Sequence, residues 1–190
     1  MQKARHSKKG LSTVVTTLII LVVSVVLAGV VTLYATNITS TRTQQETLKM
    51  SKQAIWVDDA GNAIAAVCID NVGGKDVVID KITVRGVEAG WSSVHYLRLG
   101  APITESLNFF DEAKGDSWSA NFTYAGASSG LFTAAANDVP LASGNTLVVY
   151  ITSPDSINLS DVGVTIGITG FTAQAQYYVE TNVRAAISAP

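Results

Sequence analysis

The sequence predicts an α+β fold: a long N-terminal hydrophobic α-helix followed by an antiparallel β-sandwich head of Ig-like type. Three observations predict it. An uncharged run, Leu11 to Ala35, follows directly on the basic decapeptide MQKARHSKKG. No proline interrupts it, the first in the chain being Pro102. Beyond Trp56 the pattern changes to short alternating apolar runs separated by turn residues, with no helical period between them. The expected organisation is a basic segment over 1–10, a helix over 11–53 and a head over 54–190.

The run LSTVVTTLIILVVSVVLAGVVTLYA is long enough to cross a bilayer as one helix. It exceeds the roughly 7–15 apolar residues of an ordinary secretory signal, and no convincing small-x-small cleavage site follows it. Lys3, Arg5, Lys8 and Lys9 precede it, and no comparable cluster comes after. The positive-inside tendency then keeps the N-terminus cytoplasmic and exports everything beyond Tyr34. The competing reading of KARHSKK as a nucleic-acid patch is weaker, because a short basic stretch abutting an apolar span is the usual topology signal. The whole chain has 13 basic and 15 acidic residues, and four of the basic ones lie in the decapeptide. The remainder is acidic, which fits a soluble extracytoplasmic domain and argues against nucleic acid as a partner.

Val, Ile and Thr are indifferent helix formers in water. In lipid, or among other helices, the backbone must satisfy its own hydrogen bonds and propensity is overridden. Thr13, Thr17, Ser24, Ala28, Thr32 and Ala35 recur at spacings of three, four and seven and, with Gly29, form a broken stripe of small residues. Such a stripe allows close approach of helices and hydroxyl bonding between them. A plain membrane anchor that tolerates threonine is the alternative. The polar stretch TNITSTRTQQETLKMSKQ has no turn-forming cluster and reads as the outer half of the same helix, continuing to Lys52. There Ile38, Leu48 and Ile55 would share a narrow apolar face, and Glu46 would pair with Lys49.

In the head, Asp58–Asn62 and Asn71–Lys75 read as turns, with AIAAVCID and VVIDKITV as the strands after them. SSVHYLRL, WSANFTYA and NTLVVYITS read as further strands, VGVTIGITGFTAQAQYYVETNV as two strands or one bent one, and LFTAAANDVP as loop. Short strands spaced by turn chemistry suggest the sandwich.

No constellation reads as an active site. His95 is the only histidine beyond the decapeptide, and there is no Cys-x-x-Cys, metal-ligand His pair, phosphate-binding loop or nucleophile elbow. Neither a catalytic residue nor a metal or other cofactor is expected. Asp58, Asp59 and Asn62 lack the ordered spacing of a calcium loop, so a solvated hairpin is the better reading. Asp111, Glu112 and Asp116 likewise read as an exposed loop. Cys68, the sole cysteine, cannot form an intramolecular disulfide and sits in an apolar strand-like run, where a buried structural thiol is expected. Three sequons, at Asn37, Asn121 and Asn158, are candidate glycan acceptors in an exported domain, with Asn37 the poorest because it lies on the helix.

A decapeptide ending Lys8-Lys9-Gly10, a long Val/Ile/Leu helix beginning at Leu11 and a small β-head resemble the archaeal type IV pilin and archaellin superfamily, with its class III signal peptide. The architecture covers the chain, but only residues 8 to about 35 carry a recognisable motif. Bacterial pilins usually carry a glutamate at the fifth mature position; here that position is Val15, which favours the archaeal relatives. The resemblance implies cleavage at Lys8-Lys9-Gly10/Leu11 by a prepilin peptidase. It also implies passage through the cytoplasmic membrane, extraction by an assembly ATPase with its membrane platform, and self-assembly into an extracellular filament. Adhesive pilus and motility archaellum stay open, with a slight lean to the pilus. So do a minor pilin and, from another class, an uncleaved single-pass surface protein whose β-domain binds a partner.

Overall fold

The computed structural model describes residues 6–43, 45–111, 116–126 and 129–186. The chain divides after Thr43 into two compact units. The first is one helix, α1 (His6–Thr43), of 38 residues. The second is a large, curled, mostly antiparallel β-sheet, so the fold is α+β as expected.

The sheet takes ten of the head's strands. β1 (Leu48–Val57) pairs antiparallel with β2 (Ala63–Asn71), β2 with β10 (Thr146–Thr152), and β10 with β5 (Val94–Leu99), to which the short β8 (Thr133–Ala134) adds. On its other side β1 pairs in parallel with β12 (Gln176–Ala185) through Ile55, Trp56 and Val57 opposite Val183, Arg184 and Ala185. From β12 the sheet continues antiparallel to β11 (Thr165–Thr172) and β3 (Val77–Val84), flanked by β4 (Val87–Glu88) and β9 (Val139–Leu141). A separate two-stranded piece joins β6 (Asn121–Phe122) to β7 (Gly130–Leu131).

The sheet curls so that its two halves enclose the main core. Ile55, Val67, Val149 and Ile151 meet Ile79, Val84, Ile168 and Val183 there. A second core lies on the other face of β1, β2, β10 and β5, where Trp56, Cys68, Val148 and Tyr150 meet Leu107, Phe110, Tyr124 and Phe132. β2 is therefore buried on both faces along all nine residues, which explains why its first seven, AIAAVCI, read as continuously apolar.

Three expectations need correction. Residues 48–53 are strand, not helix: β1 begins at Leu48, so Leu48 and Ile55 lie in the main core rather than on a helical face. The alternation was hidden by a bulge. Between Ser51 and Ala54 the register slips, with Lys52 at φ 56°, so inward residues are even-numbered before it and odd-numbered after it. Glu46 makes no helical pair with Lys49; its carboxylate accepts from the Thr172 hydroxyl at 2.5 Å and the Tyr177 hydroxyl at 3.4 Å. WSANFTYA yields only the two residues of β6, while LFTAAANDVP carries Leu131 of β7 and the short strands β8 and β9. The C-terminal stretch forms two strands, β11 and β12. Lys3, Arg5 and Glu112 lie outside the described residues, as do the side chains of Lys8 and Lys9.

Candidate functional site

The residues singled out on α1 fall on a helix that is apolar around its whole circumference. Leu11, Val15, Leu18, Val22, Val26 and Leu33 are each at least half exposed. The segment Gly10–Thr41 meets the length and composition required to cross a membrane. At about 1.5 Å per residue its 32 residues run to roughly 48 Å, well beyond the ~30 Å of a hydrocarbon core. The surplus lies at the TNITST end, whose hydroxyls suit the headgroup region.

Each hydroxyl described in detail donates back into its own helix. Thr17 donates to the Val14 carbonyl at 2.9 Å, and Ser24 to the Ile20 and Leu21 carbonyls at 2.5 and 3.0 Å. Thr32 and Thr39 reach the carbonyls of Ala28 and Ala35 at 2.8 and 2.9 Å. This back-bonding lets threonine sit in an apolar medium without an unpaired donor. It also means that hydroxyl bonding between helices would have to use the oxygen lone pairs or rotate these groups.

At 100° per residue, Thr13, Thr17, Ser24, Ala28, Thr32 and Ala35 lie within an arc of roughly 100°, interrupted by Val14, Leu21 and Val31. Gly29 falls outside that arc. A Cβ placed on Gly29 meets nothing within 4 Å, and the same holds for Gly10. Within the single chain, then, neither glycine is required by packing. Gly10 and Leu11 are helical and exposed, and Lys8 and Lys9 share the same helix.

All three sequon asparagines are exposed. Asn121 opens β6, and the hydroxyl of its sequon, Thr123, shares a 2.6 Å hydrogen bond with Ser129. Asn158 caps the 3₁₀ turn Leu159–Asp161: its Oδ1 accepts from the Ser160 backbone N–H and hydroxyl, while Asp161 accepts from the Asn158 N–H at 2.9 Å. The Asn158 nitrogen that would carry a glycan takes no part in these bonds.

The remaining chemistry-bearing side chains of the head are structural in their contacts. Asp58 closes its hairpin by accepting from the Asn62 N–H and side-chain amide at 2.7 and 2.8 Å. Burial pushes its pKa up, but these bonds outweigh that and hold the carboxyl below its ordinary range. The Asp111 N–H donates to the Asp116 carboxylate at 2.8 Å. Among the described residues no three of His, Cys, Asp and Glu gather into a metal-binding group. Burial, reinforced by Asp70, pushes the Cys68 thiol up to about 12. His95 and Phe110 stack on Trp118 with ring centroids 4.2 and 3.5 Å away, spacings that fit only on opposite faces of the indole. Nothing in the sequence pattern signalled this stack, because Trp118 and Phe110 come from a long irregular connection.

Compared with family models and with curated proteins, the sequence matches none.

Proposed function

We propose that the chain is a structural subunit of an extracellular, type IV pilus-like filament of the archaeal kind, polymerised through α1 after cleavage behind Gly10. The observation that carries this reading is the contrast within one chain. α1 exposes large aliphatic side chains on every side, whereas the head closes two cores of its own. A helix apolar all round must be covered by lipid or by other helices, and a subunit of this kind uses first one and then the other. Lys8, Lys9 and Gly10 present the cut site to a prepilin peptidase, and an assembly ATPase with its membrane platform lifts the subunit from the bilayer. Thr13, Thr17, Ser24, Ala28, Thr32 and Ala35 supply the close-packing face. Glycans on Asn121 and Asn158, and less so on Asn37, fit an exported head. Cleavage leaves a charged amine on Leu11, which neighbouring hydroxyls or carbonyls must accept in the filament.

The test is the N-terminal sequence and intact mass of the native protein in membrane and sheared-surface fractions. A chain beginning at Leu11 in the sheared fraction supports the reading, and excess mass reports glycans. An intact Met1 chain confined to membranes overturns it. That result would leave the second reading, an uncleaved single-pass anchor whose β-domain binds a partner. The back-bonded hydroxyls favour this alternative, since they equip α1 to remain in lipid.

A further inference from the structure

Tension that enters the head from the α1 side meets a strand held on both of its edges. Residues 45–47, which precede β1, are fastened to the rest of the head. The Thr47 carbonyl accepts from the Val72 and Gly73 N–H groups, both at 3.0 Å. The Glu46 carboxylate accepts from the hydroxyls of Thr172 on β11 and Tyr177 on β12. β1 then pairs antiparallel with β2, from Leu48 opposite Asn71 to Val57 opposite Ala63.

On its other edge β1 runs parallel to β12. Ile55, Trp56 and Val57 face Val183, Arg184 and Ala185, and the Ala186 N–H donates to the Val57 carbonyl at 2.7 Å. Among the described residues this ladder is the only strand pairing that joins the two halves of the curled sheet. Gln53 adds a side-chain tie, its Nε2 donating to the Glu180 carbonyl at 3.1 Å. The chain enters β1 at Leu48 and leaves β12 at the opposite end of the pair, beside Val57. Pulling those two points apart slides β1 along β12, so the ladder bonds and the ties stretch together. Were β12 antiparallel to β1, its exit would lie beside Leu48, and the same tension would peel the pair open one bond at a time.

We infer that the head is a load-bearing module: tension between residue 45 and the end of β12 is carried by shear of the β1–β12 pair, with Glu46 the first side chain to take the load. The load it fits is a pull through α1 while the far end of the head is held. Forced unfolding is governed by the unfolding rate rather than by equilibrium stability. Two pulling directions on one fold therefore separate this geometry from stability in general. The inference does not depend on whether the chain polymerises, because both load points and every tie belong to the head alone.

The test is single-molecule force spectroscopy on the full chain in detergent micelles, pulled from a C-terminal peptide tag and one engineered thiol in a Cys68→Ala background. Gln45→Cys loads the pair in shear. Asp59→Cys, in the exposed turn after β1, loads the same pair in peel. At one loading rate the shear force should exceed the peel force at least about twofold, because the three pairs yield together rather than singly. Glu46→Ala should lower the shear force and leave the peel force unchanged, since peel opens the ladder from the other end. Matching thermal unfolding of the two thiol variants verifies that both carry the same fold. A shear force equal to or below the peel force overturns the inference, as does Glu46→Ala lowering both forces equally or neither.

Discussion

Leu11–Ala35 of α1 and Ala63–Ile69 of β2 are both uncharged, largely apolar runs, and they differ in what covers them. Each residue of β2 is buried by the chain itself, from both faces, while the large side chains of α1 stand exposed. The same composition thus has opposite meanings in the two units. In the head it encodes an interior, and in the helix it encodes a requirement for an exterior that the single chain does not supply.

The sharpest way to break this comparison is to place one carboxylate in each region. Val149→Asp puts an unpartnered charge in the main core, at a cost of several kcal/mol against a typical domain stability of about 5–15 kcal/mol. The head should lose its near-UV circular dichroism and become protease-sensitive. Val22→Asp should leave head unfolding unchanged and impair membrane integration, since an aspartate at a span's centre costs roughly 2.5–3.5 kcal/mol. Carbonate extraction reads that loss, and a carbonate-resistant Val22→Asp chain would contradict the spanning role.

A smaller effect contrasts two glycines. A Cβ on Gly73 would lie 2.7 Å from both the Gln45 carbonyl oxygen and the Thr47 nitrogen, so Gly73→Ala should lower head stability by about 1–3 kcal/mol in denaturant titration. Gly29 has nothing near it. Gly29→Leu should therefore leave unfolding of the detergent-solubilised chain unchanged, and a shifted midpoint would contradict the open surroundings of Gly29.

Acid sensitivity should reside in the head. The Asn158 N–H, followed by Arg85 at 2.9 Å, holds the Asp161 carboxyl below its usual range. Its contribution is therefore complete above the unfolded value of about 3.9 and is lost as pH falls through the lower folded value. Asp161→Asn should unfold at lower temperature at pH 7 and show a shallower loss of melting temperature below pH 4. The smallest expected signal is from Cys68, buried and with its thiol pushed up to about 12. It should resist maleimide labelling at pH 8 in the folded chain and react after unfolding. Rapid labelling in the native state would contradict its place in the second core.

What was legible in the sequence followed from local pattern. The helix announced itself by length and lack of charge, and β2, β3 and β10 by apolar runs between turn residues. β1 was misread because the bulge at Lys52 shifts its phase, leaving Leu48 and Met50 out of step with Ile55 and Val57. Glu46 was misassigned because its partners, Thr172 and Tyr177, lie more than a hundred residues away. The stack of His95 and Phe110 on Trp118 was illegible for the same reason: β5 and the irregular connection that carries Phe110 and Trp118 meet only through tertiary packing.

The parallel pairing of β1 with β12 has a consequence for the order of events during synthesis. The first strand of the head is completed by its last, so the curled sheet cannot close until β12 has been made. Roughly 140 residues separate the end of α1 from the end of β12. At about 5–20 residues per second, translation of that stretch takes on the order of ten seconds. During that interval α1 already exists while the head cannot yet be native, so whatever first covers the emerged helix meets it attached to an unfolded, threadable chain.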